Sequence, residues 1–162
     1  GQKVVVINPT DFAQIHPLGL VTADALKKIG MNVDLQETDW GTVVQRRSSM
    51  EPVEKGGWSI FHTFSSSAVL STPATHPLLN GRGKDGWFGW WDNAEARSLT
   101  DQWLYAPDTA GQMKAAKALS HVAMTDVGAT MVGQWYGKTA FRRSITGVLQ
   151  GVSPYPWNVR PA

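Results

Sequence analysis

The spacing of apolar and polar side chains changes several times along the chain, and each change marks an element. Residues 3–8 are an almost unbroken apolar, β-branched run, the pattern of a strand covered on both faces in a parallel sheet, and Pro9 ends it. Over 17–29 the apolar positions Leu18, Val21, Ala25 and Ile29 recur at helical spacing with Thr22 and Leu26 beside them. Lys27 and Lys28 fall in the last turn, and Gly30 supplies a stop. Residues 32–38 alternate, Val33, Leu35 and Glu37 against Asp34 and Gln36, as in a strand near a sheet edge. A short helix over 39–48 and a third strand over 57–64 complete a β-α-β-α-β order.

Right-handed crossovers make these strands parallel, with helices on both faces, and bring the loops 9–12, 39–41 and 65–67 to one edge. Open α/β sheets bind ligands at such an edge, so Thr10, Asp11, Trp40, Thr63, Phe64, Ser65, Ser66 and Ser67 are the candidate ligand contacts. Residues 65–91 follow no period for longer than a passive connector needs. Asp92 with Glu95, and Thr109 with Gln112, have the spacing of capping boxes. The first opens a helix that buries Ala96, Leu99, Trp103 and Ala106 and ends at Pro107. The second opens one that buries Ala115, Ala116, Leu119, Val122 and Ala123, runs to about Asp126, and is closed by Val127 and Gly128. The two form a hairpin. Strand-like runs at 130–136, 138–141 and 145–149 precede a tail with three prolines. The expected architecture is therefore a single α/β lobe over 1–162: a mainly parallel sheet with helices on both faces, a helical hairpin and C-terminal strands.

Composition narrows the chemistry. The chain has 162 residues, no cysteine and a formal charge of +2 from 15 basic and 13 acidic residues. Lack of cysteine excludes a disulfide scaffold, thiolate metal sites and a thiol nucleophile. The basic residues come in scattered pairs, so no stripe for nucleic acid is expected, and no apolar run is long enough to span a bilayer. None of the four histidines pairs with another at helical ligand spacing, so no metal or other cofactor is expected. There is no Gly-x-Ser-x-Gly elbow, the glycine run at 81–86 lacks a phosphate-loop ending, and Asp11 and Asp39 read as caps for the helices they precede. An enzyme is disfavoured. Eight tryptophans remain to be explained: Trp58 and Trp103 read as core, whereas Trp87, Phe88, Trp90 and Trp91 lie in an aperiodic loop that either covers the core or docks on a ligand or partner.

Taken as a set, the segments at 23–35 (ADALKKIGMNVDL), 39–47 (DWGTVVQRR) and 56–61 (GGWSIF), with ITGV at 145–148, resemble the family 5 solute-binding proteins, the extracytoplasmic receptors of ABC importers for peptides, nickel chelates and related solutes. The likeness covers nearly the whole chain and is to the C-terminal lobe. Members are several-fold longer and start with a signal peptide. The chain opens into a strand without such a leader, so an export signal and an N-terminal lobe are expected outside it. The resemblance implies binding without catalysis, in the periplasm, of a small solute or short peptide held in an interlobe cleft, with ABC permease subunits as partners. In peptide-binding members the loop after the third strand carries a carboxylate for the ligand's amino terminus. Here that stretch reads Thr63, Phe64, Ser65, Ser66, Ser67, with no charge. The alternative function is a protein-interaction module that docks through the aromatic loop 87–91.

Overall fold

Successive valines and Ile7 give β1 (Lys3–Pro9) apolar side chains on both faces, and both faces are covered. In the computed structural model, which describes residues 1–151, 153 and 155–162, β1 is the centre of a three-stranded sheet ordered β2-β1-β3. It pairs in parallel with β2 (Asn32–Thr38), from Lys3 with Asn32 to Pro9 with Thr38, and with β3 (Ile60–Phe61) through Val6 with Ile60 and Ile7 with Phe61. Contacts divide the chain into two compact units, Gly1–Phe64 and Ser65–Ala162.

In the first unit Val5 and Ile7 point to one face and pack on Val43 of α2 (Trp40–Arg46), with Trp40, Val53, Trp58 and Phe61 around them. Fully burying side chains of this size contributes about 1.5–3 kcal/mol each. Trp58 and Phe61 meet edge to face at 4.9 Å, so Trp58 is a core residue as expected. Val6 and Asn8 point to the opposite face, which α1 (His16–Lys28) covers. The helix face that is buried differs from the expected one. Gly19 and Ala23 are buried with Ile15 just before them, whereas Val21 and Ile29 are 68% and 73% exposed. Close approach decides this: a Cβ on Gly19 would lie 2.1 Å from the Asn8 side chain, so the small residues, not the largest apolar ones, face the sheet. Asp39 caps α2 by accepting from the Thr42 amide, as read from the sequence. Asp11 does not cap α1, whose N-cap position is Ile15 with no side-chain bond.

In the second unit α3 (Ala94–Leu104) and α4 (Thr109–Asp126) form the expected hairpin around Ala96, Leu99 and Leu119. The caps are one residue away from those expected. Asn93 accepts from the Ala96 amide and Asp108 from the Gly111 amide, so Glu95 and Gln112 are not at the reciprocal capping-box position. Asp92 instead pairs with Arg97. The first helix stops at Leu104, ahead of Pro107, and Trp103 and Ala106 are only half-buried. At the end of α4 it is Val127, not the glycine, that adopts the left-handed conformation (φ 53°). A Cβ on Gly128 would lie 2.6 Å from the Trp91 ring, so glycine is required there for room. The strands expected over 130–136 and 138–141 are absent. That stretch is irregular and exposed, because no neighbouring strand pairs with it. The strand expected at 145–149 is reduced to β4 (Ile145–Thr146), antiparallel to β5 (Arg160–Pro161). Pro154 of the proline tail lies outside the described residues. Among those residues no helix is long and apolar enough to cross a membrane.

Candidate functional site

Parallel pairing puts the carboxyl ends of β1, β2 and β3 on one edge of the first unit, and the residues just beyond them are joined by specific contacts. The Thr10 amide and hydroxyl both donate to the Thr38 carbonyl, at 2.8 and 3.2 Å, closing the ends of β1 and β2. The Asp11 carboxylate accepts from the Trp40 amide at 2.8 Å. It therefore serves the start of α2, across the edge, rather than the helix that follows it. Asp39 accepts from the Thr42 amide at 2.9 Å and from its hydroxyl at 2.6 Å. These bonds, the Thr42 hydroxyl first, hold the Asp39 carboxyl below its ordinary range.

The edge is aromatic. Phe12, from the loop after β1, lies 5.2 Å from Trp40 and 5.4 Å from Phe64, tilted by 54° and 45°. One ring thus joins residues that follow all three strands. The Arg47 guanidinium sits over Trp40 at 5.9 Å from the ring centre, within cation–π range. The candidate contacts Thr10, Asp11, Trp40 and Phe64 therefore converge, with Thr63 half-buried beside Phe64. Phe12 was not singled out in the sequence. Its signal was an aromatic residue near the end of each strand, at 12, 40 and 64. Ser65, Ser66 and Ser67 belong to the second unit, where they are exposed and the Ser66 carbonyl accepts from the Val69 and Leu70 amides.

Removing the Asp39 cap tests how this edge is held. In Asp39→Ala the amides of Thr42 and Val43 should exchange with solvent about three- to tenfold faster, while those of β1 stay unchanged. Because the folded-state carboxyl titrates below its unfolded value, its contribution is present at neutral pH and is lost as pH falls through the carboxylate range. Hydrogen exchange at pH 7 and near pH 4 reads both effects.

The aromatic loop of the second unit is mostly turned inward. Trp87, Phe88, Trp90 and Trp91 are all half-buried. Trp91 packs on the hairpin core and its indole donates to Asp126 at 3.0 Å, where Asn93 also donates at 2.8 Å. The cavity beside the loop holds only about 20 Å³, room for a single water. A larger void of about 140 Å³ lies between Leu70, His76, Leu79 and Leu119. The hydroxyls of Ser71 and Ser120 on its wall donate to backbone carbonyls, so they are engaged within the protein. Among the described residues no three metal-ligating side chains come together.

Comparison with known proteins adds a lineage to this geometry. No family model matches the chain. Across its whole length, over 163 aligned positions, it is 34% identical to a probable peptide ABC transporter periplasmic-binding protein of Sinorhizobium fredii, of which it spans 30%. Among solved structures, a dipeptide binding protein from Pseudoalteromonas sp. SM9913 in complex with Met-Leu matches 99% of this chain and 32% of its own, with a TM-score of 0.68 at 16% identity. At that identity the likeness shows the fold, an α/β arrangement of the periplasmic-binding-protein type. The α/β class and the resemblance to binding proteins of peptide ABC importers, both read from the sequence, are borne out.

Proposed function

We propose that the chain is the C-terminal lobe of a two-lobe, extracytoplasmic solute-binding protein that captures a peptide-like solute and presents it to the permease subunits of an ABC importer. The observation that carries this reading is the relationship, along every part of the chain, to a periplasmic-binding protein of a peptide ABC transporter. The solute is held and released unchanged, and no catalytic step is assigned to the chain. In this reading Thr10, Asp11, Trp40, Thr63 and Phe64 supply the wall of the cleft, and the other lobe supplies the opposing contacts.

Thr63 and Phe64 support a solute whose contact there is neutral or anionic, since aromatic and hydroxyl groups stack and hydrogen-bond but do not neutralise an ammonium group. A thermal-shift panel on the full-length two-lobe protein, with short peptides, nickel chelates and small sugars, tests the reading. Saturable stabilisation by peptides, at least about 2.7 kcal/mol at a hundredfold excess over Kd, is the expected result. Stabilisation by sugars alone, or by nothing in the panel, would remove it. Limited proteolysis of the same protein tests the lobe assignment. Residues 1–162 should be released as one resistant piece, whereas cutting near residue 64 into two resistant pieces would contradict it.

A further inference from the structure

The residue directly before the Thr63 and Phe64 edge is a histidine turned into the protein. His62 is 8% exposed. Its Nε2 lies 2.9 Å from the Thr22 hydroxyl of α1, and its Nδ1 is enclosed with no hydrogen-bond partner among the described residues. A second buried polar side chain lies under the same helix. Pairing ends at Ile7 with Phe61, and the residues that follow them are His62 and Asn8, the latter fully buried and donating to the His16 carbonyl at 3.2 Å. The face that α1 covers thus contains a polar seam, Asn8, Thr22 and His62.

Among the described residues, the charged side chain on this face of the sheet is Glu37 of β2, which pairs in register with Asn8 and is bonded to His16 rather than to His62. From α1 the group facing His62 is the neutral Thr22 hydroxyl, and β1 contributes the neutral Asn8 amide to the same helix-covered face. The ionisable groups of α1 are engaged elsewhere or exposed: His16 with Glu37 at 2.7 Å, Asp24 with Lys28 at 2.7 Å, and Lys27 in solvent. Burial holds the His62 imidazole below its ordinary range, so the neutral form is the folded one. Adding a proton forces either a buried, unpaired charge or a movement that brings the ring to water.

We propose that His62 is a positioning residue for the strand end bearing Thr63 and Phe64, and that its protonation releases this end and weakens solute capture at the edge. The proposal rests on the edge being the solute site. Stability from the buried neutral ring is present above the unfolded value of about 6.5 and is lost as pH falls toward the lower folded value, which places the effect on the acidic side of neutrality.

The experiment uses the full-length protein, labelled with 15N-histidine and, separately, with 4-fluorophenylalanine. The His62 and Phe64 signals are assigned by loss in His62→Gln and Phe64→Leu. On lowering the pH from 7.5 to 5, the Phe64 fluorine signal should shift with the midpoint of the His62 imidazole. In His62→Gln, which keeps a donor near Thr22 but does not titrate, the Phe64 shift should vanish. Thr22→Val should move the Phe64 signal at pH 7.5. Affinity for Met-Leu, by calorimetry, should fall about tenfold between pH 7.5 and 5.5 and stay nearly constant in His62→Gln. Separate midpoints for the two signals, or a pH dependence that survives in His62→Gln, would overturn the proposal. If the signals move together but Met-Leu binds at no pH, the positioning role stands and the peptide reading fails.

Discussion

Gly19→Val is expected to destabilise the first unit by about 3 kcal/mol or more, the largest effect of any single substitution on its α1 face. The first added carbon would stand 2.1 Å from the Asn8 side-chain oxygen, 2.3 Å from its amide carbon and 2.8 Å from its nitrogen. Neither partner can yield cheaply. Asn8 lies in the central strand, fully buried, with its amide hydrogen-bonded to the His16 carbonyl. Lifting α1 off the sheet would also open the contacts of Ala23 and Ile15 and the Thr22–His62 bond. Amide exchange in β1 and β2 of the full-length protein reads the loss directly. Val21→Thr, two residues away and 68% exposed, should stay within about 0.5 kcal/mol of the parent. Gly19→Ala in an Asn8→Ala background should cost less than the separate effects add up to, since the two share one contact. Additive costs would show that Gly19 and Asn8 do not meet.

Phe12→Ala should weaken solute binding by about tenfold or more, with a smaller effect on folding. The Phe12 ring touches both Trp40 and Phe64, so its removal separates the aromatic residues that follow β2 and β3. Edge aromatic pairs contribute about 0.5–1.5 kcal/mol each beyond their area, and losing two such contacts accounts for roughly a tenfold change in affinity. Phe12→Tyr keeps the ring in place and should retain most of the affinity. Calorimetric titration beside a denaturation curve for each variant separates binding from folding. A Phe12→Ala protein with parental affinity would mean that this edge does not hold the solute.

The sequence revealed the sheet more fully than the contacts made by its edge. Val4 through Ile7 allow only a strand buried on both faces, and Asp39 ahead of an apolar turn allows only a capped helix, so β1 and α2 were legible from local chemistry. The buried face of α1 was not, because it is chosen by a tertiary contact. Gly19 against Asn8 outweighs the larger apolar residues Val21 and Ile29, which periodicity favours. The caps at Asn93 and Asp108 shifted by one residue for a similar reason. Asp92 is drawn to Arg97, and Asp108 fits the Gly111 amide without help from a glutamine. The β-branched and aromatic residues of 130–141 have strand propensity but no strand to pair with. At the edge, Trp40 and Phe64 could be placed by topology. Phe12 could not, because what distinguishes it is its position between two rings that are far apart in the chain. His62 and Asn8 read as ordinary strand residues, because what distinguishes them is the bond each makes to α1, at Thr22 and at His16.

The carboxyl edge of the β2-β1-β3 sheet is, as proposed, a wall of the solute site. The most direct test is a crystal structure of the full-length protein with a bound short peptide, beginning with Met-Leu. The ligand should lie against Trp40 and Phe64, with Phe12 behind them and Thr10 or Asp11 within hydrogen-bonding distance. A ligand seated elsewhere, with these four residues still open to solvent, would contradict it.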